Sequence, residues 1–230
     1  EDPAKVLMNK NHATALEDGR IVEKNSFRRS NYFEHVGNEC KHVNDKVGLL
    51  DMSAFAKCIV KGPGAEEWLE YIFANKMPKA IGRISLVHML SLNGGVRAEF
   101  TVYKTGPQSY YLVSAGAFET HDHDYLFKLA PKDGSVNIQR VTTQTGVLVL
   151  AGPRSRDVLQ KLTDTDLSND NFKWLTGKKI NGGFATAEAL RVNFVGELGW
   201  ELHHPIEMQN YIFDQLMEAG AEFEIKPFGI

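Results

Sequence analysis

Two short strings in this chain return at nearly the same offset. Gly62-Pro63 reappears as Gly152-Pro153 about 90 positions on, and Asn93-Gly94-Gly95 as Asn181-Gly182-Gly183 about 88 positions on. Each Gly-Pro follows an apolar run and precedes a helical pattern, and each Asn-Gly-Gly separates two strand-like runs. A chain punctuated in this way points to a duplicated unit of strand, helix and hairpin, with room for a ligand between the copies. The copies occupy 26–145 and 146–230, while residues 1–25 hold no period of 2 or 3.6 and read as an arm or linker.

The first hairpin shows the patterning most clearly. Asn93-Gly94-Gly95 supplies the positive φ angles of a tight turn. In the strand that follows, alternation puts Arg97, Glu99, Thr101 and Tyr103 on one face and Val96, Ala98, Phe100 and Val102 on the other. The apolar row belongs in a core. Glu99 and Tyr103 lie roughly 13 Å apart along the strand, a span suited to an extended ligand.

Helical stripes are predicted at Val36, Cys40, Val43 and Val47; at Ala65, Trp68, Leu69, Ile72 and Phe73; and at Val158, Leu159 and Leu162. Two more follow, at Tyr125, Leu126 and Leu129 within Glu119–Leu129, and at Met208, Ile212, Leu216 and Ala219, with Gly220 past the helix end. Strands are predicted over 54–61, 109–115 and 147–151, and the tail 224–230 reads as a loop entering another element.

The net charge of −3 gives no general attraction for nucleic acid or an anionic membrane, so neither is an expected partner. No apolar run approaches the roughly 20 residues of a spanning helix. Cys40 and Cys58 lack the paired spacing of a zinc or redox motif, which fits a reducing compartment: the cytoplasm, or the mitochondrial matrix in a eukaryote.

In Gly196-Glu197-Leu198-Gly199-Trp200-Glu201-Leu202, strand alternation would place Glu197, Gly199 and Glu201 on one face with Trp200 opposite as a core anchor. Two carboxylates on one face make this a candidate site. His121-Asp122-His123-Asp124 has the look of a metal site, but its position before Tyr125 and Leu126 reads as a helix start, where aspartates favour the N-terminus. His203-His204 is discounted because adjacent strand side chains point apart, and no metal site is expected. Arg28 and Arg29 either meet an anionic ligand tail or lie in water.

Val47–Ser53, Val60–Ala65, Asn93–Tyr103, Leu150–Pro153 and Gly196–Leu202 resemble, in order, motifs of the aminomethyltransferase family, the tetrahydrofolate-binding T-proteins of glycine cleavage and their relatives. Phe27–Phe33, Asn75–Lys79 and Val158–Ser168 are similar to the folate-binding portion of dimethylglycine and sarcosine dehydrogenases. The resemblance implies an α+β fold of two pseudo-repeated antiparallel units with packed helices around a central folate pocket. It implies one-carbon transfer to tetrahydrofolate, forming 5,10-methylenetetrahydrofolate from an aminomethyl, iminium or formaldehyde donor. A lipoyl carrier protein or a flavin domain is the implied partner, and no flavin-binding Gly-x-Gly-x-x-Gly lies within this chain.

By the same resemblance the family's catalytic aspartate falls on Glu99, and the glutamate that holds the pterin falls on Glu201. The chemistry agrees: one carboxylate accepts two parallel hydrogen bonds from a 2-amino-4-oxo ring, and another takes up or relays a proton near N5 and N10. Tyr103, Glu197 and Val113 complete the implied folate-binding set, with Tyr103 either contacting the pterin or merely packing. Glu99 replaces aspartate and Ser114 replaces asparagine, and the family's Arg-rich helix and C-terminal β domain would lie beyond Ile230. The contrasting expectation is a non-catalytic folate-binding or subunit-docking module.

Overall fold

The computed structural model describes residues 13–15, 21–23, 29, 32–182 and 185–229. Ala13–Ala15 (β1) and Ile21–Glu23 (β2) pair antiparallel within the stretch expected to be a bare arm. Three-residue strands are too short to register as a period. Phe33–Asp45 (α1) leads to Gly48–Asp51 (β3). Of the stripe expected on α1, Val43 is buried, while Val36 and Cys40 are exposed. The C-terminal half of α1 meets the body: Glu39 accepts from the Gly229 N–H at 2.9 Å, and in the last turn a Cβ on Gly152 would touch the Val43 and Lys46 carbonyls.

The repeat then unfolds twice. The first copy runs Ala56–Lys61 (β4), Ala65–Ile72 (α2), Ile84–Leu90 (β5), Val96–Gly106 (β6), Ser109–Ser114 (β7), Glu119–Leu129 (α3) and Asn137–Arg140 (β8). The second runs Thr145–Ala151 (β9), Ser155–Gln160 (α4), Gly177–Gly182 (β10), Ala185–Leu190 (β11), Gly199–Pro205 (β12), Gln209–Gly220 (α5) and Lys226–Pro227 (β13). Gly62 and Gly152 turn strand into helix with φ of +131° and +123°, a conformation that L side chains rarely adopt.

The sheets have matching strand orders, β5-β6-β7-β4-β8 and β10-β11-β12-β9-β3-β13, antiparallel except for the β13–β3 pair. β3 pairs with β9, so a strand from the first expected unit is built into the second sheet. The tail, expected as a loop, pairs with β3 through Lys226 and Pro227.

Each sheet carries its helices on its outer face. Cys58, Val60, Phe100, Val102 and Leu112 pack against Trp68, Leu69 and Leu126; Leu148, Leu150, Trp200 and Leu202 pack against Leu159, Ile212 and Leu216. The inner faces meet through Ile84, Tyr103, Tyr111, Val113, Leu190 and Val192. Val96 departs from the expected core row and is exposed, because the hairpin tip around Gly94 (φ +77°) projects beyond the body. Leu129 and Met208 are exposed, and Gly220 lies inside the end of α5, buried against Ile225.

Candidate active site

A cavity of about 500 Å³ opens at one end of the seam between the sheets. Its apolar wall includes Leu86, Val113, Trp174, Leu175, Val192 and Phe194, and its polar groups include Arg97, Glu99, Ser114, Asp122, Asn193 and Glu201. An apolar cleft with a few convergent polar groups is the usual form of a small-molecule site.

Glu201 reaches the cavity because β12 begins at Gly199 and alternates from there, sending Trp200 into the outer core and Glu201 inward. Its side chain is 16% exposed, and its Oε2 accepts a hydrogen bond of 3.1 Å from His203 Nε2. Tyr111 donates its hydroxyl to His203 Nδ1 at 3.0 Å, and the two rings meet edge to face. With Nε2 donating to Glu201, the other ring nitrogen accepts from the Tyr111 hydroxyl, so the carboxylate, the imidazole and the phenol form one chain. Burial, with the Glu201 charge nearby, holds the Tyr111 phenol far above its usual range. Glu201 Oε1 has no hydrogen-bond partner among the described residues and is free for a ligand. The sequence argument passed over His203; the available signal was the Glu-x-His spacing, which puts both side chains on one strand face.

Glu99 sits nearer solvent, with 56% of its side chain exposed. His88, its cross-strand neighbour on β5, donates from Nε2 to Glu99 Oε2 at 2.9 Å. A third carboxylate, Asp122, was expected only as a helix-start residue. It is instead 3% exposed in the cavity wall, accepting from Ser114 Oγ at 3.3 Å and from His121 Nδ1 at 3.0 Å. The sequence did contain a clue, since Asp122 and Leu126 are four residues apart and both are buried on α3.

Two members of the expected folate-binding set lie elsewhere. Tyr103 is buried further along β6, with its hydroxyl donating to Glu188 at 3.1 Å; burial and that carboxylate push its phenol well up. It is cut off from the cavity by the 175–177 crossing, where Ile84 N–H bonds Leu175 O at 3.0 Å and Gly177 N–H bonds Gly82 O at 2.8 Å. Glu197 precedes the strand, in a turn where Gly196 has φ +83° and the Asn193 side chain donates to the Glu197 carbonyl at 2.6 Å. The alternation that was to align Glu197 with Glu201 therefore never begins. Val113 does line the cavity.

Of the two early arginines, Arg28 lies outside the described residues, and Arg29 stacks 4.3 Å from the Phe33 ring centroid. Among the described residues no group of three or more His, Cys, Asp or Glu is placed to hold a metal, and no helix is long and apolar enough to cross a membrane.

The chain is similar to mitochondrial dimethylglycine dehydrogenase of Mus musculus, 42% identical over 205 residues that cover 89% of this chain and 24% of that protein. It is similar to an aminomethyltransferase of Thermoanaerobacter sp. (strain X514), 30% identical over 220 residues covering 93% of this chain and 58% of that one. Thus it spans about a quarter of the dehydrogenase's length. In fold it resembles the crystal structure of glycine cleavage system aminomethyltransferase T from Bartonella henselae, with a TM-score of 0.72 at 22% identity, covering 84% of this chain and 51% of that one. The family described as the GCVT N-terminal domain matches residues 9–230, and with nearly the whole chain inside that match, the protein belongs to the GCVT family.

Proposed function

We propose that the inter-sheet cavity binds tetrahydrofolate and that the chain serves one-carbon transfer to it from an aminomethyl, iminium or formaldehyde donor. The observation that carries this reading is the convergence of Glu99 and Glu201, about 100 positions apart, on one cavity. The residues present fit the ligand. Glu201 is largely desolvated, anchored through Oε2 and open at Oε1, so it offers a pterin edge an acceptor of fixed direction. Val113, Leu175 and Val192 give flat apolar contact around it. When bound, tetrahydrofolate supplies the nucleophilic nitrogens. Glu99, hydrogen-bonded to His88 and close to solvent, takes up the proton released there and passes it outward.

The relatives' names support two settings for the same site, a stand-alone aminomethyltransferase or a portion of a dimethylglycine dehydrogenase; the partner proposed in the first is a lipoyl carrier protein and in the second a flavin domain. The second is favoured by the higher identity to dimethylglycine dehydrogenase. The mitochondrial name of the dimethylglycine dehydrogenases supports a matrix location if the protein is eukaryotic.

Calorimetric titration of tetrahydrofolate into the protein and its Glu201→Ala variant tests the pocket. Loss of the charge-assisted hydrogen bond at Oε1 should weaken binding at least about tenfold. Glu99→Gln should leave that affinity within a few-fold and cut turnover by about 100-fold or more. Wild-type binding without any turnover would replace the transfer reading with the non-catalytic folate-binding module, and absent wild-type binding would remove both.

A further inference from the structure

Among the described residues Arg97 is the one Lys or Arg lining a cavity whose other charged groups are Glu99, Asp122 and Glu201. Its guanidinium is held from two sides. Cζ lies 4.1 Å from the Tyr125 ring centroid, and Nη2 donates to His121 Nε2 at 3.2 Å. His121 can accept there because its own proton is on Nδ1, donated to Asp122 Oδ1 at 3.0 Å. The buried carboxylate thus orients the imidazole, and the imidazole orients the guanidinium. No carboxylate pairs with Arg97 among the described residues, so most of its fork of N–H donors is pre-oriented and unused. Arg97 also shares a strand face with Glu99, roughly 7 Å away at the strand spacing.

We infer that Arg97 is a carboxylate-binding subsite at the mouth of the cavity, an inference that rests on the folate reading above. A ligand meeting both Glu99 and Arg97 carries an amine or N–H group beside a carboxylate. Two sources present that chemistry: the glutamyl end of the folate, or the carboxylate of a donor derived from an N-methyl amino acid. A single-point cation such as lysine would not reproduce the planar fork.

The test is calorimetric, on wild type, Arg97→Gln and Arg97→Lys, with three probes: tetrahydrofolate, 6-methyltetrahydropterin, which has the ring and no carboxylate, and N-methylglycine. Near-UV circular dichroism of each variant confirms that the fold is retained. If the subsite reads the folate tail, Arg97→Gln weakens tetrahydrofolate tenfold or more and leaves the tailless pterin unchanged. If it reads the donor, Arg97→Gln weakens N-methylglycine to the same degree and leaves both pterins unchanged. Arg97→Lys recovers only part of either loss. Equal weakening of the two pterins, or no change with any probe, overturns the inference while leaving the folate reading intact. A wild type that binds neither pterin overturns the folate reading, and N-methylglycine binding then decides Arg97 by itself.

Discussion

Lys57 lies inside the body, 2% exposed, with Nζ donating to the Ser53 carbonyl at 2.8 Å. Burial lowers its pKa to about 8, with the charges of Asp51 and Glu119 pulling the other way. Between that value and the ordinary 10.5 the unfolded chain holds a proton that the folded chain has released, so unfolding free energy rises with pH in this window. The raised thiol of Cys58 from about pH 9, and the raised phenols of Tyr103 and Tyr111 above pH 10, act in the opposite sense, so the Lys57 contribution is read as a difference from a variant that keeps all three. From pH 8 to 9.5 the wild type should gain about 2 kcal/mol relative to Lys57→Met, read from urea midpoints. Parallel profiles for the two proteins would show that Lys57 stays charged when folded. The same burial raises Cys58 to about 12 and makes its thiol inert. None of this was legible from residue type: Lys57 sits on an alternating strand, and only the facing sheet makes its position an interior one.

Among the elements, α2 owes its attachment to the first sheet partly to one carboxylate. Glu66 accepts from Lys104 Nζ at 2.6 Å, Tyr110 OH at 2.5 Å and Lys79 Nζ at 2.9 Å. Those bonds, Lys104 first, hold its carboxyl at about 2. Glu66→Gln leaves Lys104, only 5% exposed, without its counter-charge and should cost about 2 kcal/mol, less than a fully buried pair because Glu66 itself is 34% exposed. A depressed carboxyl stabilises above its unfolded pKa and loses that contribution as pH falls toward the folded value. The gap between wild type and variant in urea should therefore be full at pH 7 and clearly smaller at pH 3; an unchanged gap would mean that the carboxylate charge is not what Lys104 needs. The helix itself was readable from its stripe, since Trp68 and Leu69 are buried as spaced. Its polar clamp was not, because Lys104 and Tyr110 come from two strands about 40 positions later.

For the whole molecule, the crossing of β3 into the second sheet matters most. β9 has β12 on one side and β3 on the other, and β3 in turn holds β13. A chain of residues 146–230 alone would leave the β9 edge open, with no α1 to cover Gly152. It should give the circular dichroism of a disordered chain and no cooperative melt, whereas residues 33–230 should melt cooperatively. A cooperative transition in the shorter chain would show that the second sheet needs nothing from the first half. The amino-acid sequence by itself determined the two sheet units, their hairpins and, away from strand ends such as Val96 and Glu197, which strand residues face inward, because turn glycines and alternation act over a few neighbouring residues. That was enough to direct Glu99 and Glu201 to inner faces. Tertiary structure alone decided which inner-face groups share the cavity. The 175–177 crossing bonds to 82–84 and closes Tyr103 off, α3 turns Asp122 inward, and β12 starts too late to enlist Glu197. Each of these depends on pairings between residues far apart in the chain, whose outcome is set by packing of whole elements rather than by any local pattern.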